Sequence, residues 1–204
     1  MKNYFVTAIG TDSGKTLVSA ILTEALSADY WKPVQAGAPT DTTALKELVS
    51  NSISTFHPEA FRLQMPASPH AAARAEGLQV TVEEIGMVST NNSLVIEGAG
   101  GVMVPLNDEE FVIDIAKKPG VEVILVANLY LGSINHTLLT VDYLKRNGFN
   151  VKGIIFNGHE NEESERIIEL HSGYPVLLRL PHLGMINKNI IRYWADELML
   201  NWYE

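Results

Sequence analysis

Ala8-Ile9-Gly10-Thr11-Asp12-Ser13-Gly14-Lys15-Thr16 stands between an apolar run, Tyr4-Phe5-Val6-Thr7, and an amphipathic segment, Leu17–Leu26. A strand, a glycine-containing turn and a helix beginning at Lys15 or Thr16 is the layout of a phosphate-binding loop. In such a loop the backbone N–H groups of the turn and helix start point at phosphate oxygens. Lys15 would reach the β and γ phosphates, and Thr16 would offer its hydroxyl to Mg²⁺. The spacing is short: only Thr11, Asp12 and Ser13 separate Gly10 from Gly14, one fewer than the usual pattern. Gly14-Lys15-Thr16 alone arises easily by chance, so its weight comes from its place between strand and helix.

Downstream, Trp31-Lys32-Pro33-Val34-Gln35-Ala36-Gly37 belongs to a short β-like run. The proline biases Lys32 toward extended backbone, and the chain must turn soon after. Lys32 then reads either as a group at the ligand-binding end of an open sheet or as an ordinary snorkelling lysine. Thr40 or Asp41 opens a helix; capping is the default role for Asp41, and an acidic metal partner is the functional alternative. Residues 50–69, rich in Ser, Pro and isolated aromatics, predict an irregular connection with one short helix, and Ser68-Pro69-His70 predicts a helix with proline at its first position.

The second informative stretch is Leu94-Val95-Ile96-Glu97-Gly98-Ala99-Gly100-Gly101. Its unbroken apolar run fits a strand buried on both faces. Glu97 at the end of such a strand calls for a cation or for donors, and the glycines let backbone approach a phosphate or substrate closely. Glu97 is thus a metal candidate beside the loop, or else a satisfied turn residue. Strands over 122–128, 151–157 and 176–180 then alternate with helices over 134–146, 162–171 and 188–200. That alternation predicts an α/β fold, a mostly parallel sheet covered by helices on both faces. The turn Leu131-Gly132-Ser133-Ile134-Asn135-His136 opens a helix whose N-terminus suits an anion, with capping by Ser133 as the plain reading. Asn157 before Gly158 reads as a base-recognising amide or as a simple turn. The pairs Tyr193-Trp194 and Trp202-Tyr203 read as packing or subunit contact.

Composition sets the outer limits. A length of 204 residues suits a single domain, 1–204, with 46% hydrophobic and 19% charged residues, as in globular proteins. There is no cysteine, which removes disulfides, thiolate metal sites and a cysteine nucleophile together. A formal net charge of −9 without a basic block argues against a nucleic-acid partner. No apolar run approaches the ~18 residues that would span a membrane. The start, Met1-Lys2-Asn3-Tyr4, leads directly into a strand-like run, and a cytoplasmic location is the expectation.

Taken together and in this order, the loop, Trp31-Lys32-Pro33-Val34-Gln35, Thr40-Asp41, Ser68-Pro69-His70, Val95-Ile96-Glu97-Gly98-Ala99-Gly100-Gly101 and Gly132-Ser133-Ile134-Asn135-His136 resemble the dethiobiotin synthetases, P-loop NTPase-type ligases. Aligned with that family's loop, Ala8 stands at its first glycine, which accounts for the short Gly10 spacing. Asp12 replaces a common glutamate, and Ala36 stands where a substrate-contacting serine is frequent. The resemblance implies ATP- and Mg²⁺-dependent closure of a ureido ring on 7,8-diaminononanoate with CO₂ (bicarbonate), in biotin synthesis.

The same resemblance implies roles for individual residues. Lys15 and Lys32 would be catalytic. Asp12, Ser13, Gly14, Lys15, Thr16 and Leu17 would hold ATP phosphates, together with Asp41, Glu97, Gly98, Ala99 and Gly100. Thr16, Asp41 and Glu97 would hold Mg²⁺. Asn157 and Gly158, with Pro181, His182 and Leu183, would form the base pocket. Lys32, Ala36 and the helix start at Gly132, Ser133, Ile134 and Asn135 would take the substrate, the helix start coming from the neighbouring subunit of a homodimer. The competing reading is a nucleotide-driven switch of the partitioning-ATPase kind. Its usual second loop lysine is missing from Ala8-Ile9, and the sequence carries no basic or amphipathic patch for a membrane or DNA.

Overall fold

The computed structural model describes residues 1–202. The chain runs β1 (Asn3–Ala8), α1 (Lys15–Leu26), β2 (Asp29–Trp31), β3 (Val34–Ala36), α2 (Asp41–Leu48), β4 (Phe56–His57) and β5 (Phe61–Leu63). It continues through α3 (Pro69–Ala75), α4 (Val82–Ile85), β6 (Leu94–Glu97), a 3₁₀ helix (Val112–Lys117) and β7 (Val121–Leu129). The remainder is α5 (Ser133–Arg146), β8 (Val151–Gly158), α6 (Glu162–Ser172), β9 (Val176–Pro181) and α7 (Lys188–Leu200).

Among the described residues, seven strands form one sheet in the order β4-β2-β6-β1-β7-β8-β9, every pairing parallel. Side chains alternate between its faces. Tyr4, Val6, Val95, Ile124 and Ile155 meet α1, α2 and α7 on one side, whereas Phe5, Ile96, Leu125 and Phe156 meet α3, the 3₁₀ helix, α5 and α6 on the other. This double covering is why the strands read as continuous apolar runs. β1 is central, with β6 on one side and β7 on the other, so the loop after β1 opens where the strand order diverges, the usual ligand crevice of open parallel sheets. The carboxyl ends of β2, β6 and β1 lie side by side there.

Two local expectations change. The run over 29–37 splits at Pro33: β2 joins the main sheet, while β3 leaves it and pairs with β5. Proline supplies no N–H, and the chain turns from one sheet to the other there. Residues 50–68, up to the start of α3, contain no helix; they hold the edge strand β4 and the short β5. Phe56 packs against the core beneath Tyr30, so an isolated aromatic marks an edge strand rather than a loop. The brief α4 and the 3₁₀ helix had no sequence signal strong enough to announce them. Of the aromatic pairs, Trp202 meets Tyr4 edge-on at 5.2 Å and Trp194 packs beside the same core, while Tyr193 stays exposed. Tyr203 lies outside the described residues.

Candidate active site

The loop after β1 is shaped by two residues in left-handed backbone, Asp12 at φ 55° and Gly14 at φ 96°. Gly14 caps α1, and a side chain there is barred twice over. Its backbone disfavours a Cβ, and a Cβ would sit 2.3 Å from Asn157 Nδ2. Ser13 is buried and its hydroxyl donates to Gly10 O at 3.1 Å, fixing the turn from inside. Lys15 Nζ donates to the same carbonyl at 3.2 Å. Leu17 packs partly buried against the core, anchoring the first turn of α1.

Facing this loop is a buried charge cluster. Lys32 follows β2 and is 4% exposed; its Nζ lies 2.6 Å from Asp41 Oδ2 and 3.0 Å from Glu97 Oε1, and donates to Gly98 O at 3.1 Å. Lys32 is therefore a sheet-end lysine held among acceptors, and the snorkelling alternative is excluded. Thr16 Oγ1 donates to Glu97 Oε1 at 3.0 Å, and Tyr30 OH donates to Glu97 Oε2 at 3.0 Å. Glu97 is thus satisfied on both oxygens, which explains how an acid survives at 1% exposure.

Asp41 does not cap α2. Thr40 does, accepting from Thr43 N at 3.2 Å, because its side chain stands one residue before the helix and can turn back onto it. Asp41, at the first helical position, is left to reach Lys32, while its own N–H donates to Gln35 Oε1 at 3.0 Å.

Burial followed by repulsion from Lys32 lowers Lys15 to about 8. Burial alone would also lower Lys32, but Glu97 and then Asp41 outweigh it and hold Lys32 above its ordinary value. Burial works to raise Asp41, yet the Lys32 charge and hydrogen bonds hold it below the usual carboxylate range. Burial and the Glu97 charge push Tyr30 well up, so its phenol remains a donor. Two ammonium groups, Lys15 and Lys32, and three carboxylates, Asp12, Asp41 and Glu97, thus face one cavity of about 710 Å³, which Gly14, Thr16, Ala36, Ala99 and Gly100 also line. One hydroxyl and two carboxylates are the oxygen donors Mg²⁺ takes when phosphates complete its shell. Among the described residues no cluster of three His, Cys, Asp or Glu exists that would make an all-protein metal cage.

Gly98 comes within reach because it lacks a side chain: a Cβ there would press on the Phe5 ring at 3.0 Å. Gly100 turns at φ 64° beneath Val104. Asn157 ends up tied to the loop, its Nδ2 donating to Ser13 O at 2.9 Å. Gly158 and Pro181 are register partners at the ends of β8 and β9 and border a separate hollow of about 220 Å³. Next to them the exposed His182 stacks on His159 at 5.0 Å, and Leu183 is half-buried.

The structure does not bring Gly132, Ser133, Ile134 and Asn135 to the 710 Å³ cavity; they lie at the start of α5, beyond β7. Ser133 does not cap α5. Gly132 stands at the cap position in left-handed backbone, and the buried Ser133 hydroxyl has no partner among the described residues. Around it Leu131, Ile134 and Tyr130 are exposed. Tyr30 is the residue the sequence reading missed. Its signal was its position, two before Lys32 and so on the same face of an extended chain.

A family model described as an AAA domain matches residues 2–189. The protein named ATP-dependent dethiobiotin synthetase BioD of Cytophaga hutchinsonii is 58% identical over 206 residues, covering 100% of both chains. The chain belongs to the dethiobiotin synthetase family. A second synthetase of that name, from Christiangramia forsetii, is 46% identical and covers 96% of this chain and 95% of its own.

These full-length relatives favour the synthetase over the partitioning-ATPase switch. Solved structures give the fold alone. A ParA family ATPase from Chlorobium tepidum superposes with a TM-score of 0.63 at 11% identity, covering 96% of this chain and 97% of its own. The MinD cell division protein of Aquifex aeolicus gives 0.60 at 13%, covering 100% and 99%. The likeness to these two proteins is therefore one of fold.

Proposed function

We propose that residues 1–204 act as one catalytic domain that carboxylates 7,8-diaminononanoate and closes its ureido ring with ATP, Mg²⁺ and CO₂, releasing ADP and phosphate. One amine bonds to CO₂ and sheds a proton, giving a carbamate. A carbamate oxygen attacks the γ phosphorus as the bond to ADP breaks. The second amine then attacks the carbamoyl carbon, sheds its proton, and phosphate leaves.

Phosphoryl transfer asks for in-line placement and neutralised charge more than for covalent help. Lys15 and the loop N–H groups, with Asp12, Ser13, Gly14 and Leu17 shaping the turn, hold the phosphates. Lys32 stabilises the carbamate and the transferring group. Thr16, Asp41 and Glu97 would hold Mg²⁺, which would supply countercharge to the transferring phosphoryl group. Gly98, Ala99 and Gly100 let the backbone close on the phosphates, and Ala36 borders the substrate. Asn157, Gly158, Pro181, His182 and Leu183 receive the base.

The observation that carries this reading is the buried Lys32 between Asp41 and Glu97, aimed into the loop cavity. Gly132, Ser133, Ile134 and Asn135 belong to the substrate's carboxylate, reached from the neighbouring subunit of a homodimer. Their distance from the cavity and the apolar exposure around them favour that arrangement. We place the enzyme in the cytoplasm, without nucleic-acid or membrane partners; among the described residues no helix is long and apolar enough to cross a membrane.

Lys32→Gln tests the assignment. Turnover should fall at least about a hundredfold while ATP binding changes little; unchanged turnover would remove Lys32 from the chemistry.

A further inference from the structure

Glu97 meets Thr16 and Lys32 through Oε1, so its second oxygen needs its own account. Oε2 takes the hydroxyl of Tyr30 at 3.0 Å. Tyr30 and Glu97 are 0% and 1% exposed, so water does not replace a donor lost between them. Tyr30 lies opposite Val95 in the parallel β2–β6 pair, and Glu97 stands two residues beyond Val95 on the same face. The phenol spans that step along the strand. Its ring is fixed from below, packed in the core with Leu45 and Val95 and tilted against Phe56 at 6.1 Å.

We propose that Tyr30 is a positioning residue: its hydroxyl locks the Glu97 carboxylate so that Oε1 faces Thr16, Lys32 and the divalent-cation site they border. The proposal rests on the reading of Glu97 as a Mg²⁺ ligand. Without the hydroxyl, Glu97 keeps its charge but loses the Tyr30 donor to Oε2, and the carboxylate is free to turn either oxygen toward Lys32. Cation affinity drops although no ligand has been removed. Phenylalanine keeps the ring and its packing, so the fold persists.

The test uses Tyr30→Phe, Glu97→Gln and the double variant. Mg²⁺ is titrated by calorimetry into protein saturated with ADP, where nothing turns over, and the unfolding temperature of each protein is recorded. Tyr30→Phe should raise the Mg²⁺ dissociation constant about tenfold, the scale of one hydrogen bond to a charged group, and leave ADP affinity without Mg²⁺ unchanged. Glu97→Gln should raise it further. In the Glu97→Gln background, Tyr30→Phe should add less than about twofold, because the carboxylate it orients is already gone.

Unaltered Mg²⁺ affinity in Tyr30→Phe, with Glu97→Gln weakened, overturns the role of Tyr30 alone. No effect of Glu97→Gln overturns the reading of Glu97 and the proposal with it. Fully additive losses make Tyr30 a structural residue only and overturn the positioning role.

Discussion

The Thr16 hydroxyl, on the first turn of α1, donates to Glu97 at the end of β6 at 3.0 Å, across 81 residues of sequence. This bond joins the phosphate loop to the acid strand, so disturbing either residue disturbs both. Thr16→Val keeps the shape and removes the donor, leaving a buried carboxylate short of one hydrogen bond at a cost of about 1–3 kcal/mol. Turnover at limiting Mg²⁺ should fall at least about tenfold, whereas Thr16→Ser should retain most of it. The Mg²⁺ dependence of ADP release distinguishes the two variants.

Gly14→Ala should damage both the loop and the fold. Left-handed backbone costs a residue with a Cβ about 1–2 kcal/mol, and the added atom displaces Asn157 from 2.3 Å. ATP binding should be lost in a nucleotide titration and the unfolding temperature should fall. Gly10→Ala is the control, since the nearest atom to a Cβ there is Ser13 Oγ at 3.9 Å; its stability should change by no more than about 0.5 kcal/mol.

Most of the main sheet was legible because it is parallel and doubly covered, so strands such as β6 and β7 are apolar runs long enough to stand out. The loop, Lys32 and Glu97 were legible because each sits at a strand end beside glycine or proline. The roles of Thr40 and Asp41 were not separable, since both residues cap helices well and only the three-dimensional position of Lys32 decides between them. Tyr30 was hidden for a similar reason: a tyrosine in a β run reads as packing, and its hydroxyl gains meaning only when β2 and β6 are placed side by side. The edge strand β4 is two residues long, too short to show a period.

Lys15 gives a pH signature to the protein without nucleotide or metal. Its ordinary value is 10.5 and the fold lowers it to about 8. Between those values the unfolded chain holds more protons, so stability should rise with pH across that window. Below about pH 8 the cost of burying the charge is present in full. Phosphates pair with the ammonium, so ATP binding above about pH 8 should take up a proton, and binding near pH 7 should take up almost none. Calorimetry in buffers of different ionisation enthalpy measures that uptake, and Lys15→Met should abolish it.

Ile134, 36% exposed beside the fully exposed Leu131 at the start of α5, probes the proposed subunit contact. Ile134→Arg should shift sedimentation from dimer to monomer, because a charge does not bury in an apolar contact without a partner. Turnover should fall at least about tenfold while ATP binding persists, since the phosphate loop lies on the same chain as its own α1. A dimer that survives the substitution with full turnover would move the subunit contact elsewhere.

The most direct measurement is ADP release by the purified protein with ATP and Mg²⁺, omitting 7,8-diaminononanoate or bicarbonate in turn, with mass spectrometry of the organic product. The account predicts ADP and the cyclic urea in equal amounts, and only when both substrates are present. ATP hydrolysis that ignores the diamine, or a diamine recovered unchanged, would contradict it.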